Sequence, residues 1–283
     1  MTFTTLISVE GLQQFYTRPD WVVMDCRFSL AEPERGRQAY QAGHIPGARY
    51  AHLDEHLSGP IVPGQTGRHP LPPIDVLAAR LGAWGISADS QVVVYDDSGG
   101  DMAVRLWWLL QWLGHPAVAV LDGGFPAWEK AGLPVTTVLP DPAPVEFVPQ
   151  VRSEMLVSAG QLLAEFGDPS YLVVDVRAAE RYRGEVEPID PVAGHIPGAV
   201  NYPYVNSIDR DGHFQLKQIL RGRFENLFGP VPAKHVTFYC GSGVTGAHGV
   251  LAVAHAGLGM PRLYAGSWSH WIADPERPVA RGG

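Results

Sequence analysis

The sequence is poor in cysteine, in basic residues and in long apolar runs, and each shortage excludes a class of protein. With only Cys26 and Cys240 in 283 residues, it has neither a disulfide framework nor the cysteine spacing of a zinc knuckle. The 21 basic residues are outnumbered by 29 acidic ones and form no run, which argues against nucleic-acid and anionic-membrane partners. No apolar run reaches the length of a membrane span and no signal-peptide pattern opens the chain, so we expect a reducing, cytoplasmic setting.

What the sequence does contain is a repeat of itself. WVVMDCR at residues 21–27 and YLVVDVR at residues 171–177 are each followed by the same hexapeptide, GHIPGA, at residues 43–48 and 194–199. Two further pairs follow in the same order, YDDSGGDMA with YCGSGVTGAH, and LDGGFPAW with YAGSWSHW. Matching blocks in one order at nearly one offset indicate a duplicated domain.

The repeat predicts two α/β domains, each a parallel sheet flanked by helices. Short β-rich runs alternate with helical patterns in both halves, and runs such as VVVY are continuously apolar, as in sheets covered on both faces. A proline-rich stretch without helical period separates the halves. We therefore predict an N-terminal domain at residues 1–140, a linker at residues 141–150 and a C-terminal catalytic domain at residues 151–283.

The elements of the first half are predicted from their periodicity, and the second half repeats them. In the second half, Ser158 and Gln161 have the spacing of a capping box for its first helix. The predicted elements of the first half are a helix near residues 8–16, a strand at 21–26, a helix at 74–81, a strand at 91–95, a helix at 101–113 and a strand at 117–121.

The loop that begins at Cys240 joins a strand end to a helix start, where ligands bind in parallel α/β folds. Gly241 and Gly243 lack Cβ atoms, so the backbone can curl and turn its N–H groups inward. The following helix adds unpaired N–H groups and the positive end of its dipole, which favours a thiolate. Ser242 and Thr245 supply hydroxyl donors. We predict that Cys240 is a nucleophile.

Two other functions of this loop are excluded by what its surroundings lack. GSGVTG matches the dinucleotide-binding pattern, but residues 241–273 contain no acidic residue to hold a ribose. A cysteine phosphatase needs an arginine at the far end of the loop to clamp phosphate, and that place is Gly246. Cys26 lies inside an apolar strand and is predicted to be a core residue.

The repeated strand ends, the doubled GHIPGA and the six-residue cysteine loop together resemble the rhodanese superfamily of sulfurtransferases, in its tandem-domain form. CGSGVT is similar to the loop of 3-mercaptopyruvate sulfurtransferases, whereas thiosulfate-preferring enzymes usually carry Arg and Lys in place of Gly241 and Ser242. The resemblance implies that a Cys240 persulfide moves sulfur from mercaptopyruvate, with release of pyruvate, or from thiosulfate. The acceptor would be cyanide, a thiol or a thioredoxin-like protein, and no cofactor is implied. A thiosulfate-specific enzyme and a non-catalytic sulfide carrier or interaction module remain alternatives.

The resemblance also assigns site residues outside the loop. Arg181 matches the family's substrate-binding arginine and Arg183 is second to it. Mercaptopyruvate enzymes often show another arginine after a Glu-Pro pair, but here Ile189 stands in that place, which leaves the donor open. Some members relay protons from an Asp and a His of the N-terminal half through the loop serine, and the matching residues are Asp54 and His69.

The loop itself supplies the rest of the predicted site. By the same resemblance, Cys240, Ser242 and Arg181 are the catalytic residues. The predicted substrate-binding residues are Arg183, Gly241, Gly243, Val244, Thr245, His69 and Asp54.

Several other polar residues are predicted to have no catalytic role. His52 and His56 have helical i, i+4 spacing but no clear third ligand, so we predict no metal site. His44 and His195 occur in both halves, which favours a structural role in the GHIPGA turn. In the first half Asp96 stands where the second half has its nucleophile, so that loop cannot carry sulfur.

Overall fold

The computed structural model describes residues 2–283 and divides into two compact units. The first unit consists of the chain up to Gly59, Pro72–Arg152 and the short segment Arg210–Phe214. The second unit consists of the short segment Pro60–Leu71, Ser153–Asp209 and Gln215–Gly283. Each half of the chain therefore contributes one short segment to the other unit.

The first unit is built on a parallel sheet whose strands follow the order β1-β5-β4-β2-β3. Every residue of β2 and β4 is buried, because helices cover both faces of the sheet. The strands are β1 Leu6–Ile7, β2 Trp21–Asp25, β3 Arg49–Tyr50, β4 Gln91–Tyr95 and β5 Val118–Leu121. The helices are α1 Val9–Gln13, α2 Arg35–Ala42, α3 Leu53–His56, α4 Ile74–Ala83, α5 Ala103–Trp112 and α6 Gly124–Lys130.

The second unit repeats this plan with the strand order β7-β6-β8-β9, again all parallel. The strands are β6 Leu172–Asp175, β7 Val200–Asn201, β8 Val236–Tyr239 and β9 Arg262–Leu263. The helices are α7 Ala159–Ala164, α8 Ala179–Arg183, α9 Lys217–Phe228, α10 Gly246–His255 and α11 Ser267–Trp271. The predicted capping box is present, because Ser158 and Gln161 exchange side-chain and backbone hydrogen bonds at the start of α7. The predicted α/β fold of two parallel sheets flanked by helices is confirmed.

An ion pair at the end of the central strand fixes the GHIPGA turn in each unit. Asp25 at the end of β2 pairs with Arg27, whose Nη2 also donates to the carbonyl of Gly43 at 2.7 Å. The hydroxyl of Tyr95 donates to Asp25 at 2.7 Å and accepts the N–H of Ile45. The second unit uses the equivalent residues Asp175, Arg177, Gly194, Tyr239 and Ile196. These buried pairs therefore hold the turn against the sheet in both units.

The histidine of each GHIPGA turn is structural too. His44 Nδ1 lies 2.8 Å from the carbonyl oxygen of Tyr40, and its ring stacks on that tyrosine. His195 makes the same two contacts with Tyr182 in the second unit. Cys26 is buried among the core residues of the first unit, as predicted. In the described part of the chain, no helix is both long enough and apolar enough to cross a membrane.

Candidate active site

The nucleophile predicted from sequence stands at the carboxyl end of a central strand. Cys240 directly follows β8, and the loop after it leads into α10. The residue is only 1% exposed, and its Sγ accepts a hydrogen bond from the N–H of Gly243 at 3.1 Å. A donor aimed at the sulfur stabilises negative charge there and on any sulfur that it carries.

Gly243 is a glycine because of both its conformation and its surroundings. Its φ of +83° lies in the left-handed region, and a Cβ would stand 1.9 Å from the carbonyl oxygen of Ala265. At Gly246, the first residue of α10, a Cβ would approach Leu263 Cδ1 to 2.9 Å. The loop can therefore turn its N–H toward the sulfur only because these positions lack side chains.

Ser267 is a further residue of this site that sequence reasoning missed. Its hydroxyl accepts the N–H of Cys240 at 3.1 Å, donates to the carbonyl of Tyr264 at 3.0 Å and lies 3.9 Å from Sγ. Its φ of 53° makes it the one non-glycine residue with positive φ among residues 2–283. The alignment of the two repeats could have indicated this positive φ, because the residue of LDGGFPAW that matches Ser267 is Gly124, with φ +59°.

The segment Pro60–Leu71 brings residues of the first half to this loop. Gly67 packs so tightly that a Cβ would lie 2.7 Å from the carbonyl oxygen of Gly266. The N–H of Arg68 donates to Ser269 Oγ at 3.1 Å, and the N–H of Ser269 donates to the carbonyl of Gly241 at 2.9 Å. Short contacts with Gly266 and Ser269, at the start of α11, therefore connect this segment to the cysteine loop.

His69 and Ser242, both predicted site residues, lie together in the second unit. His69 Nδ1 is 2.8 Å from Ser242 Oγ, and both side chains are buried. A hydroxyl paired with an imidazole can give up or accept a proton. Asp54, the third member of the predicted relay, lies on α3 in the first unit.

Arg181 and Arg183 both lie on α8 but have different environments. Arg181 is mostly buried and pairs with Glu187 at 2.7 Å and Asp190 at 3.2 Å. Arg183 is 39% exposed and directs its guanidinium to both carboxylate oxygens of Glu185. Arg181 lies at the loop, because its Nη1 and Nη2 are 3.6 Å from where a Cβ on Gly241 would stand, whereas the substrate-binding role of Arg183 stays a prediction that no contact in the structure supports.

Arg68 is a second guanidinium at the loop, and sequence reasoning missed it. It forms an ion pair with Asp190, which also pairs with Arg181. A Cβ built on Gly241 would lie 2.9 Å from Arg68 Nη2 and 3.6 Å from both Nη1 and Nη2 of Arg181. Burial lowers the pKa of Arg68, but a guanidinium stays charged at neutral pH. In the sequence this arginine directly precedes His69, a residue that was predicted.

Val244 and Thr245, the remaining predicted loop residues, form the transition into α10. Val244 is buried and its carbonyl accepts the N–H of Ala247 at 3.1 Å. Thr245 is the N-cap residue of α10, and its carbonyl accepts the N–H of His248 at 3.0 Å. Their contacts support the shape of the loop; their binding roles stay predictions.

The matching loop of the first unit is filled by its own side chain. The carboxylate of Asp96 accepts the N–H groups of Ser98, Gly100, Met102 and Ala103, at 2.8 to 2.9 Å. It is almost fully buried. The inherited loop is thus an anion cradle, and in the first unit a covalently attached carboxylate occupies it permanently.

One cluster in the described part of the chain has the ligand types of a metal site, but its hydrogen bonds argue against a metal. Ligand atoms of Glu34, His52 and Glu55 lie within 4.8 Å of one another. His52 Nδ1 accepts the N–H groups of Asp54 and Glu55, which leaves only Nε2, the atom that faces Glu34, as a ligand atom. Arg37 already pairs with both carboxylates. These three side chains are therefore less suited to bind a metal cation than their residue types alone would indicate.

Comparison with known families identifies the class of protein. The family model described as "Rhodanese-like domain" matches residues 8–131 and again residues 158–274. The chain therefore belongs to the rhodanese family and carries two such domains in tandem. The predicted family and fold class are both confirmed.

The most informative relatives are named for two sulfur donors. A Pseudomonas aeruginosa protein, "Probable 3-mercaptopyruvate sulfurtransferase", is 48% identical over 283 residues, which is 100% of both chains. "Thiosulfate sulfurtransferase" of Rattus norvegicus is 33% identical over 286 residues, 96% of this chain and 93% of the relative. The crystal structure of SseA from Escherichia coli, described with the rhodanese fold of 3-mercaptopyruvate sulfotransferases, has a TM-score of 0.80 and 29% identity. It covers 94% of this chain and 100% of its own.

Proposed function

We propose that the chain is a sulfurtransferase that carries sulfur on Cys240 and takes it from 3-mercaptopyruvate in preference to thiosulfate. The observation that carries this proposal is the nearly buried Sγ of Cys240, which accepts the N–H of Gly243 beside the pair formed by His69 and Ser242. Its relatives over the full length include proteins named for each donor.

The first half-reaction forms a persulfide. The Cys240 thiolate attacks the sulfur of the donor, a new S–S bond forms and the C–S bond of the donor breaks. The electron pair of the broken bond goes to carbon as an enolate. The proton of the donor thiol ends on that carbon, which yields pyruvate and an ionised persulfide. Ser242 and His69 are suited to move this proton, because their polar atoms are already in hydrogen-bond contact.

The second half-reaction returns the cysteine. A thiolate or cyanide attacks the outer sulfur, the S–S bond breaks, and its electron pair leaves on Cys240 as the thiolate. We propose a thiol or a thioredoxin-like protein as the acceptor and a reducing cytoplasm as the setting, since both cysteines are free.

The charge distribution supports mercaptopyruvate as the donor. Residues 240–245 contain no cationic side chain, so any cation for the donor must come from Arg181 and its neighbours. A guanidinium fork matches a planar carboxylate with two parallel hydrogen bonds. Mercaptopyruvate brings both that carboxylate and a thiol proton to be moved, whereas thiosulfate brings neither.

The test compares thiocyanate release from each donor with cyanide as the acceptor. We expect a higher kcat/KM with mercaptopyruvate than with thiosulfate and no turnover in Cys240→Ala. Cys26→Ala is the matched control, because it removes the other buried thiol and should retain activity. Intact-mass measurement after donor treatment should show one added sulfur atom in the wild type and in Cys26→Ala, and none in Cys240→Ala.

Each other outcome has a distinct meaning. Full activity in Cys240→Ala would refute the proposal. A persulfide that forms but passes its sulfur to no acceptor would leave a sulfide carrier rather than an enzyme. A higher kcat/KM with thiosulfate would reverse the assigned donor preference.

A further inference from the structure

The segment Pro60–Leu71, which carries His69, packs against the start of α11. At Gly67 the segment and the helix are so close that a Cβ would stand 3.1 Å from the backbone nitrogen of His270. Two positions further along the chain, His69 Nδ1 lies 2.8 Å from Ser242 Oγ. Because these contacts are so near each other in sequence, a residue of α11 that fixes the segment also fixes the distance between His69 and Ser242.

His270 is a side chain of α11 that joins this segment to the rest of the second unit. Its Nδ1 lies 2.7 Å from the hydroxyl oxygen of Tyr264, and its ring donates a hydrogen bond to the backbone carbonyl of Gln65. Burial and the nearby Arg277 lower the pKa of His270, so its imidazole is neutral at neutral pH, with one donor and one acceptor nitrogen. Both nitrogens are used, because one donates to Gln65 and the other accepts from Tyr264.

The backbone that accepts from His270 belongs to a closed turn. The N–H groups of Gln65 and Thr66 both donate to the carbonyl of Val62 at 3.0 Å, and Thr66 Oγ1 accepts the N–H of Val62 at 3.0 Å. A turn with these internal hydrogen bonds moves as one piece. A contact at the carbonyl of Gln65 therefore restrains the residues that follow it, up to His69.

Helix α11 is in turn bonded to the cysteine loop. The N–H of Trp268 donates to the carbonyl of Cys240 at 3.0 Å. At the other end of this short helix, Arg277 Nη1 donates to the carbonyl of His270 at 2.6 Å. The helix is thus fixed relative to the nucleophile, and the side chain of His270 fixes the segment relative to the helix.

We propose that His270 is a positioning residue of the sulfur-transfer reaction, which joins the backbone of Gln65 to α11 and so keeps His69 at Ser242. This inference rests on the proposed function. Because His270 acts through the segment, its loss should slow the step in which His69 and Ser242 move a proton. Mercaptopyruvate brings a thiol proton to that step, whereas thiosulfate brings none. The two donors therefore separate positioning of His69 from a general loss of structure.

The test measures the rate of persulfide formation with each donor, by intact mass and without an acceptor. His270→Leu keeps the bulk of the side chain but no donor, and His270→Gln keeps a donor for Gln65. His235→Leu is the matched control, because it replaces another partly buried histidine of the second unit, one that stacks on Tyr171. We expect His270→Leu to slow persulfide formation from mercaptopyruvate roughly ten- to hundredfold and from thiosulfate less than about twofold. The loss should be smaller in His270→Gln and absent in His235→Leu.

Hydrogen exchange followed by mass spectrometry gives a readout that does not depend on activity. The N–H of Arg68 donates to Ser269 Oγ at 3.1 Å, so it is protected only while the segment stays on α11. A peptide covering residues 60–71 should therefore exchange faster in His270→Leu than in the wild type and in His235→Leu. A peptide covering α7 should exchange at the same rate in all of them.

The failures of the two proposals can be told apart. If the wild type forms a persulfide and His270→Leu matches it in rate and in exchange, the positioning role is refuted and the sulfurtransferase stands. Equal slowing with both donors, or slowing without faster exchange of residues 60–71, would refute it too. If the wild type forms no persulfide, the proposed function fails, and exchange alone decides on His270. Should His270→Leu not fold, as judged by circular dichroism, His270→Gln decides: an unchanged rate with mercaptopyruvate and unchanged exchange would refute the role.

Discussion

Replacing Ser267 tests whether the strained backbone beside Cys240 is kept for its hydroxyl. The residue combines a left-handed φ of 53° with a side chain that accepts the Cys240 N–H and donates to Tyr264. Left-handed conformation costs a residue with a Cβ about 1–2 kcal/mol. Either Ser267→Ala or Ser267→Gly leaves a buried donor without its partner, which costs about 1–3 kcal/mol.

The two variants separate the strain from the hydrogen bonds. At an ordinary position glycine is less stable than alanine by about 0.4–1 kcal/mol, because it loses more entropy on folding. At Ser267 the relief of strain outweighs this, so we expect Ser267→Gly to be more stable than Ser267→Ala by about 0.5–1 kcal/mol. Activity should fall in both variants, because both lose the hydroxyl that orients the nucleophile.

The assay is urea unfolding followed by tryptophan fluorescence, with kcat/KM measured beside it. Ser207 provides the control, because it is buried in the same unit without a positive φ. There the ordinary order should hold, with Ser207→Ala more stable than Ser207→Gly. Our reasoning would be refuted if Ser267→Ala equalled or exceeded Ser267→Gly in stability, or if either Ser267 variant kept full activity.

Two further predictions concern the first unit. Asp96→Asn leaves one carbonyl oxygen for four N–H groups, two of them in buried hydrogen bonds, and should destabilise the protein by about 3 kcal/mol in urea unfolding. Asp97→Asn, which removes an ion pair with a half-exposed arginine, should cost less than about 1 kcal/mol, and equal losses would contradict us. Burial lowers the pKa of His56 from its ordinary value of 6.5 to about 4 in the folded protein. As the pH falls below 6.5, this histidine therefore binds a proton in the unfolded chain but not in the folded one. Stability should drop by about 2 kcal/mol between pH 7 and 5, and His56→Asn should flatten this slope; an unchanged slope would disprove it.

Elements with a strong local signal were predictable from sequence. QVVVY coincides with β4 because a continuously apolar run between turns has few alternatives in a covered sheet. The predicted helix at residues 74–81 matches α4, Ile74–Ala83, except at its end. Helix α9, the counterpart of α4, was predicted only through the repeat and without bounds, although Leu220, Phe224 and Phe228 repeat at a helical spacing and are buried. Most other residues of this helix are polar, which makes the spacing of the three apolar residues hard to recognise in the sequence.

The site residues also differ in whether neighbouring residues in the sequence or contacts between distant segments determine their roles. Cys240 and Gly243 belong to one loop, so their chemistry could be read from adjacent residues. Arg68 and Ser267 could not, because their roles depend on contacts between remote segments; even His69, proposed from resemblance, is 173 positions from Ser242. Only tertiary structure shows which of the many surface arginines meets the loop.

The segment exchange has a consequence for the history of the gene. Duplicated copies can normally be lost one at a time, because each retains everything that it inherited. Here the second unit includes Pro60–Leu71, and the first includes Arg210–Phe214, where the N–H of Phe214 donates to Asp122 at 2.8 Å. Deletion of the half that has no nucleophile would therefore remove Arg68 and His69 from the half that has one. Mutual dependence of this kind makes a duplication irreversible, whatever later changes occur in the Asp96 loop of the first unit.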